Sequence, residues 1–157
     1  KMTIVDCDTV NVTNKNRQLL ALDSTVGRPK VEVMAERIRD INPDVEVVAL
    51  NQYLKDQSII DLMEQPFDYI VDAIDTLAPK VFLLYYAVQN KQNIVSCMGS
   101  GGKLDPSMIQ VADIAKSHNC RLAFYVRKRL HRLGIREGIT VVFSPGPANI
   151  CFLRRHQ

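Results

Sequence analysis

Six side chains have the types and spacing to handle a phosphorylated ligand. Asp6 closes the apolar run "MTIVD" (2–6). Asn14, Asn16 and Arg17 follow in "DTVNVTNKNRQ" (8–18), a stretch with no hydrophobic face. Lys30 stands where a helical pattern begins, and Asp75 closes "FDYIVDAID" (67–75). A guanidinium grips phosphate with a planar fork, and short asparagines supply uncharged donors. A lysine at a helix start sits where the macrodipole already favours anions. Acids at the carboxyl ends of strands line the ligand crevice of doubly wound sheets, where they accept ribose hydroxyls or hold Mg²⁺. Each position also has a plain reading: a solvated polar loop over 8–18, a solvated strand-end acid at Asp6, an N-cap at Asp75 or Thr76. By composition alone the polar loop is the commoner outcome.

These side chains need elements to position them. "MTIVD" and "VEVVAL" (45–50) are strand-like. "PKVEVMAERIRDIN" (29–42) places Val31, Met34, Ile38 and Ile41 at helical spacing, with Pro29 in the first turn and Asn42-Pro43 as stop. Ser58 is placed to cap a short helix running to Glu64. "FDYIVDAID" reads as a buried strand, "PKVFLLYYAVQNK" (79–91) as an apolar helix and "NIVSCM" (93–98) as another strand. "GSGG" (99–102) is a turn, without the spacing of a dinucleotide loop. "KLDPSMIQVADIAK" (103–116) reads as a strand or strand pair, and "ITVVFS" (139–144) as a strand. Strands separated by helices of this length predict a parallel sheet covered on both faces.

The 121–134 segment, "RLAFYVRKRLHRLG", predicts a basic amphipathic helix with Leu122, Val126, Leu130 and Leu133 on one side and Gly134 as stop. From Arg121 to Arg136 it carries six cations and no acid before Glu137. A solvated face usually mixes signs, so this clustering points to a polyanion surface, with a plain basic surface as the alternative. Phe124 and Tyr125 alone give thin aromatic interleaving.

The 157 residues suffice for one domain. Apolar residues make up 46%, charged residues 24%, and the net charge is +3, the balance of a globular chain. Cys7, Cys97, Cys120 and Cys151 show no C-x-x-C spacing, which argues against a zinc knuckle or redox pair. Cys7 and Cys97 are expected to be buried thiols in a reducing, cytoplasmic setting. His118, His131 and His156 form no triad or metal spacing. No run reaches a membrane span, and no signal peptide is visible.

Taken in order, "IVDCDTVNVTNKNRQ", "STVGRPKVEVMAERIRDINP", "IVDAIDT" and a strand with a Gly turn resemble the ATP-dependent adenylating superfamily of ThiF, MoeB and the ubiquitin-activating enzymes, over residues 2–145. "NKNRQLLAL", "GSGGKLDPSMIQVADIAK" and "VRKRLHRLGIREGITVVFS" are similar to its tRNA threonylcarbamoyladenosine dehydratase branch. "KSHNCRLA", Gly146 and the tail "PANICFLRRHQ" depart from that branch's pattern.

The resemblance implies an α/β, doubly wound, Rossmann-like and mostly parallel fold, with 1–157 as one nucleotide-binding domain. Residues 103–145 would carry the basic helix and return strand. The Gly-rich first βα unit is expected upstream of Lys1, so the chain reads as a fragment. ATP and Mg²⁺ are the implied cofactors, with no structural zinc. Asp6 would bind ribose. Asn14 and Arg17 would contact the phosphates, Lys30 would do so from the helix side, and Asp75 would hold Mg²⁺. Arg17, Lys30 and Asp75 would be catalytic. These groups are expected to converge at one rim of the sheet. The implied reaction is activation of the carboxylate of threonylcarbamoyladenosine for cyclisation, by a cytoplasmic homodimer. We add Arg127, Lys128, Arg129 and Arg132 as a candidate tRNA surface. The alternatives are an adenylyltransferase acting on a ubiquitin-like or sulfur-carrier protein C-terminus, and a non-catalytic dimeric nucleotide-binding fragment.

Overall fold

The computed structural model describes residues 1–148. Cys151, His156 and most of the divergent tail lie outside them. The described residues divide into two compact units, 1–54 and 55 onward.

In the first unit, strand β1 (Met2–Asp6) pairs in parallel with β2 (Val47–Asn51), bringing Asp6 opposite Asn51. Helix α1 (Lys30–Ile41) is the crossover. Pro29 stands just before it as N-cap rather than within its first turn. Val31, Val33 and Ala35 are its buried residues, Met34 and Ile38 are half-buried, and Ile41, expected on the inner face, is exposed in the last turn.

Residues 11–26 leave β1 and return to α1 as a closed excursion. Its ends are clasped by backbone bonds: Gly27 N–H to Val10 O at 2.8 Å, Val10 N–H to Arg28 O at 2.8 Å, and Lys30 N–H to Asp8 O at 2.9 Å. Thr9 and Pro29 form an antiparallel bridge there. Gly27 has φ +87°, which L side chains rarely adopt, so a glycine suits the return. Val10, Ala21 and Val33 are buried together, with Leu20 packed on them. The polar run therefore has an apolar anchor at each end, although its middle has none.

The second unit holds a four-stranded sheet in the order β3-β4-β6-β5, from β3 (Ile70–Asp72), β4 (Ile94–Cys97), β5 (Gln110–Asp113) and β6 (Thr140–Phe143). β3–β4 and β4–β6 are parallel, while the edge strand β5 runs antiparallel to β6. The architecture is α/β with parallel-dominated pairing, as expected. Its helices are α2 (Gln57–Met63), α3 (Leu77–Gln89) and α4 (Arg121–Arg132). The core gathers Ile59, Leu84, Val126, Leu130, Ile139 and Val141, each fully buried.

Several expectations shift. Only three residues of "FDYIVDAID" are strand, because Asp72 Oδ1 accepts the Ile74 N–H at 2.9 Å and turns the chain out of the ladder. α3 starts two residues early, which places Pro79 in the first turn, where no intrahelical N–H is needed. α2 follows Asp56, so Ser58 lies inside it; its hydroxyl accepts the Lys55 N–H at 2.9 Å. The 103–116 stretch contains one strand, flanked by 3₁₀ turns at Pro106–Met108 and Ile114–Lys116. On α4 the buried side is Ala123, Val126 and Leu130, while Leu133 is 40% exposed beyond the helix end, next to Gly134 at φ +85°. Cys7 and Cys97 are exposed, not buried, and Cys120 is the buried thiol. Cys7 lies just past β1 and Cys97 ends β4, so both stand at strand ends.

No helix among the described residues is long and apolar enough to cross a membrane.

Candidate phosphate and carboxylate site

The first unit concentrates its chemistry where β1 ends. Asp6 is half-buried, and its Oδ1 accepts the Asp8 N–H at 2.8 Å, leaving its other oxygen outside that bond. Two residues on, Asp8 Oδ2 lies 2.7 Å from Lys30 Nζ. The Lys30 side chain is only 11% exposed, so Asp8 fixes an ammonium at the first residue of α1. The helix has no side-chain cap there. The positive end of the helix macrodipole and the held ammonium make a setting that favours an anion. The Asp6, Cys7 and Asp8 ligand atoms all lie within 4.8 Å of one another, but they are exposed.

Asn14 is buried and serves the loop itself: its Oδ1 accepts the Asn11 N–H at 3.0 Å, while Asn11 Oδ1 accepts the Thr13 N–H at 2.9 Å. This reciprocal bonding fixes the 3₁₀ turn Val12–Asn14 that precedes Arg17. Arg17 is exposed and donates to Thr13 O at 2.9 Å and Asn16 Oδ1 at 3.0 Å. Among the described residues no carboxylate forms an ion pair with it. Its charge is therefore steered by neutral acceptors and not cancelled. Two residues that sequence reasoning passed over belong beside these. Asp8 is the partner of Lys30. Gln18 has a buried Oε1 with no hydrogen-bond partner among the described residues. The sequence signal for Asp8 was its i+2 spacing from Asp6; Gln18 had only its place next to Arg17.

Asp75 belongs to the second unit. It is exposed, and among the described residues its Oδ1 accepts only from the Thr76 hydroxyl, at 3.4 Å. Thr76 is the N-cap of α3, but no side chain caps that helix, so the capping alternative is not what these residues do. An exposed carboxylate outside the described ion pairs suits a hard cation such as Mg²⁺.

The turn that carries Asp75 is held from beneath. Lys80 is fully buried, with Nζ 2.8 Å from Asp72 Oδ2 and 2.8 Å from Ile74 O. Ser96 Oγ donates to the same Asp72 oxygen at 2.5 Å. Every partner of this buried pair lies between β3, β4 and α3, which pins residues 72–76.

The basic helix divides. Arg127 turns inward, donating to Ser117 O at 2.6 Å, Ser117 Oγ at 2.6 Å and Ile114 O at 3.2 Å. It ties α4 to the preceding turn. Lys128, Arg129 and Arg132 stay exposed and outside the described ion pairs.

The ThiF family pattern matches residues 1–148. The chain is 42% identical over 144 residues to the tRNA threonylcarbamoyladenosine dehydratase of Bacillus subtilis, covering 92% of this chain and 57% of that protein. It is 43% identical over 129 residues to the Escherichia coli protein of the same name, covering 82% and 48%. The crystal structure of the E. coli dehydratase TcdA in complex with ATP superposes with a TM-score of 0.90 at 40% identity, covering 93% of this chain and 63% of that one. The chain thus spans about half the length of the curated relatives it matches. Since the family match runs through all the described residues and these relatives agree with it, the chain belongs to the ThiF family.

Proposed function

We propose that this chain performs the nucleotide-dependent chemistry of a tRNA threonylcarbamoyladenosine dehydratase. A carboxylate is a poor electrophile until one of its oxygens is joined to an anionic leaving group. ATP supplies that group: the threonyl carboxylate attacks phosphorus, and a phosphate-bearing product departs. The neighbouring carbamoyl group then attacks the activated carbonyl, loses a proton and expels the attached phosphate-bearing group, so the ring closes with net loss of water from the nucleoside. Cations placed at the phosphates stabilise charge that grows in the transition state.

The likeness to a dehydratase seen with ATP carries this reading. The side-chain chemistry supports it. Asp6 has an acceptor oxygen for ribose hydroxyls. Lys30, held by Asp8, and Arg17 meet the phosphates, with Asn14 fixing the turn before Arg17 and contributing an amide. Asp75 holds Mg²⁺, which would neutralise phosphate charge. Lys128, Arg129 and Arg132 form the RNA surface, and Arg127 orients their helix. A cytoplasmic homodimer completes the reading. The exposed apolar residues Leu104, Met108, Ile109 and Val111, on and before the edge strand β5, support an intersubunit contact.

The test incubates the chain with ATP, Mg²⁺ and tRNA bearing threonylcarbamoyladenosine. Nucleoside mass spectrometry should show loss of one water, with ATP consumed only when that RNA is present. ATP–pyrophosphate exchange that needs a carrier protein instead would overturn the reading in favour of an adenylyltransferase. Neither activity, with dimer formation retained in sedimentation, would leave a non-catalytic nucleotide-binding module.

A further inference from the structure

The second unit contains a cavity of about 810 Å³ whose wall includes Gly99, Gly101, Arg121, Leu122 and Tyr125. A smaller hollow of about 320 Å³ adjoins it, lined by Leu77, Tyr125, Lys128, Arg129 and Arg132. Leu77 and Tyr125 belong to both, so they form the shared wall. Among the described residues neither wall contains a carboxylate.

The two aromatics here, Phe124 and Tyr125, are those the sequence offered, and Tyr125 is the one that lines both hollows. Tyr125 is 41% exposed and Phe124 50% exposed, with ring centroids 5.3 Å apart and planes at 74°. The Arg121 guanidinium carbon lies over the Tyr125 ring, 5.9 Å from its centroid. A half-exposed ring braced by an edge-on aromatic and by a guanidinium is a fixed platform for a flat, polarisable partner. Arg121, Lys128, Arg129 and Arg132 form none of the ion pairs among the described residues. The pairing of an apolar and aromatic cavity with a neighbouring strip of unneutralised cations matches one chemistry in particular. A base enters the cavity and its flanking phosphates lie on the strip.

We propose that this cavity receives one unstacked nucleoside of a single-stranded RNA loop, stacked on Tyr125, with the adjoining phosphates on Lys128, Arg129 and Arg132. The inference deepens the proposed function and rests on its RNA substrate. It moves recognition from a general basic surface to a pocket with a named stacking residue. Paired RNA keeps its bases inside the helix and would meet only the cations.

The experiment measures binding of the full chain to a stem-loop RNA and to a fully paired duplex of equal charge, at one fixed salt concentration. Tyr125→Ala should weaken loop binding by roughly tenfold, in line with a single stacked base, and leave duplex binding unchanged. Tyr125→Phe, which keeps the ring, should bind the loop like wild type. Tyr125 is exposed, so both variants should match wild type in thermal unfolding. Equal loop binding by Tyr125→Ala and wild type, with RNA-dependent ATP consumption intact, overturns the pocket and leaves the proposed function standing. Equal losses for loop and duplex also overturn it, since a general electrostatic effect would then suffice. No RNA binding by wild type overturns both.

Discussion

Replacing Lys80 with methionine removes the cation from beneath the Asp75 turn. Methionine fills much of the lysine volume, so the change isolates charge from packing. Asp72 is 1% exposed and would remain buried with only two neutral donors, the Ile74 N–H and the Ser96 hydroxyl. Removing one partner from a buried ion pair costs roughly 3–5 kcal/mol, because the other charge stays uncompensated. With a urea slope of about 2 kcal/mol/M, the unfolding midpoint should fall by roughly 1.5–2.5 M. The double variant Asp72→Asn/Lys80→Met should be more stable than Lys80→Met alone. Its Asn oxygen can still accept the Ile74 N–H, and no buried charge is stranded. Urea unfolding followed by circular dichroism measures both. A midpoint shift below about 0.5 M for Lys80→Met, or a double variant less stable than that single variant, would refute the claim that this ion pair holds the turn.

Arg17→Ala should lower ATP turnover by roughly 10³-fold if the guanidinium acts on transition-state charge. Its melting temperature should stay at the wild-type value, since among the described residues the exposed side chain bonds only Thr13 O and Asn16. Asp75→Asn should raise the Mg²⁺ concentration needed for half-maximal activity without altering unfolding, because Asp75 caps nothing; a magnesium titration checks this. Gly27→Ala meets no atom within 4 Å, so its cost is backbone strain at φ +87°, about 1–2 kcal/mol in urea unfolding. The Arg28 guanidinium, hydrogen-bonded to Glu36, holds that carboxyl below the ordinary glutamate range. Its small stabilisation should be complete above the unfolded-state value and fade as pH falls through the lowered native one. Arg28→Gln should flatten that acid limb in unfolding titrations, and added salt should do the same.

Much of the fold could be read from periodicity. α1 and α4 carry apolar residues at helical spacing, and β1 and β4 are apolar runs closed by turns. The boundaries that failed were decided by side-chain hydrogen bonds that periodicity does not register. Asp72 ends β3 by taking the Ile74 N–H, although its neighbours favour extension. The exposed Cys7 and Cys97 were misjudged because an apolar run predicts a strand but not where its paired register stops. At the candidate site, Asp6, Arg17 and Lys30 were visible as residue types after a strand. Asp8 as the partner of Lys30 was not, because that contact joins positions 22 residues apart. Lys80 was the hardest to foresee. A lysine within "PKVFLL" reads as a surface residue until its fully buried partner is known.

The clasp between residues 8–10 and 27–30 turns the intervening excursion into an exchangeable cassette. Three of its links are main-chain hydrogen bonds, which survive most side-chain replacements. Closing a longer loop across the same clasp costs only about 0.6 kcal/mol for each doubling of length. Segments of different length and composition could therefore be grafted between Val10 and Gly27 while Lys30 stays seated against Asp8. Such chimaeras would vary the groups offered to a ligand without re-engineering the helix that anchors them.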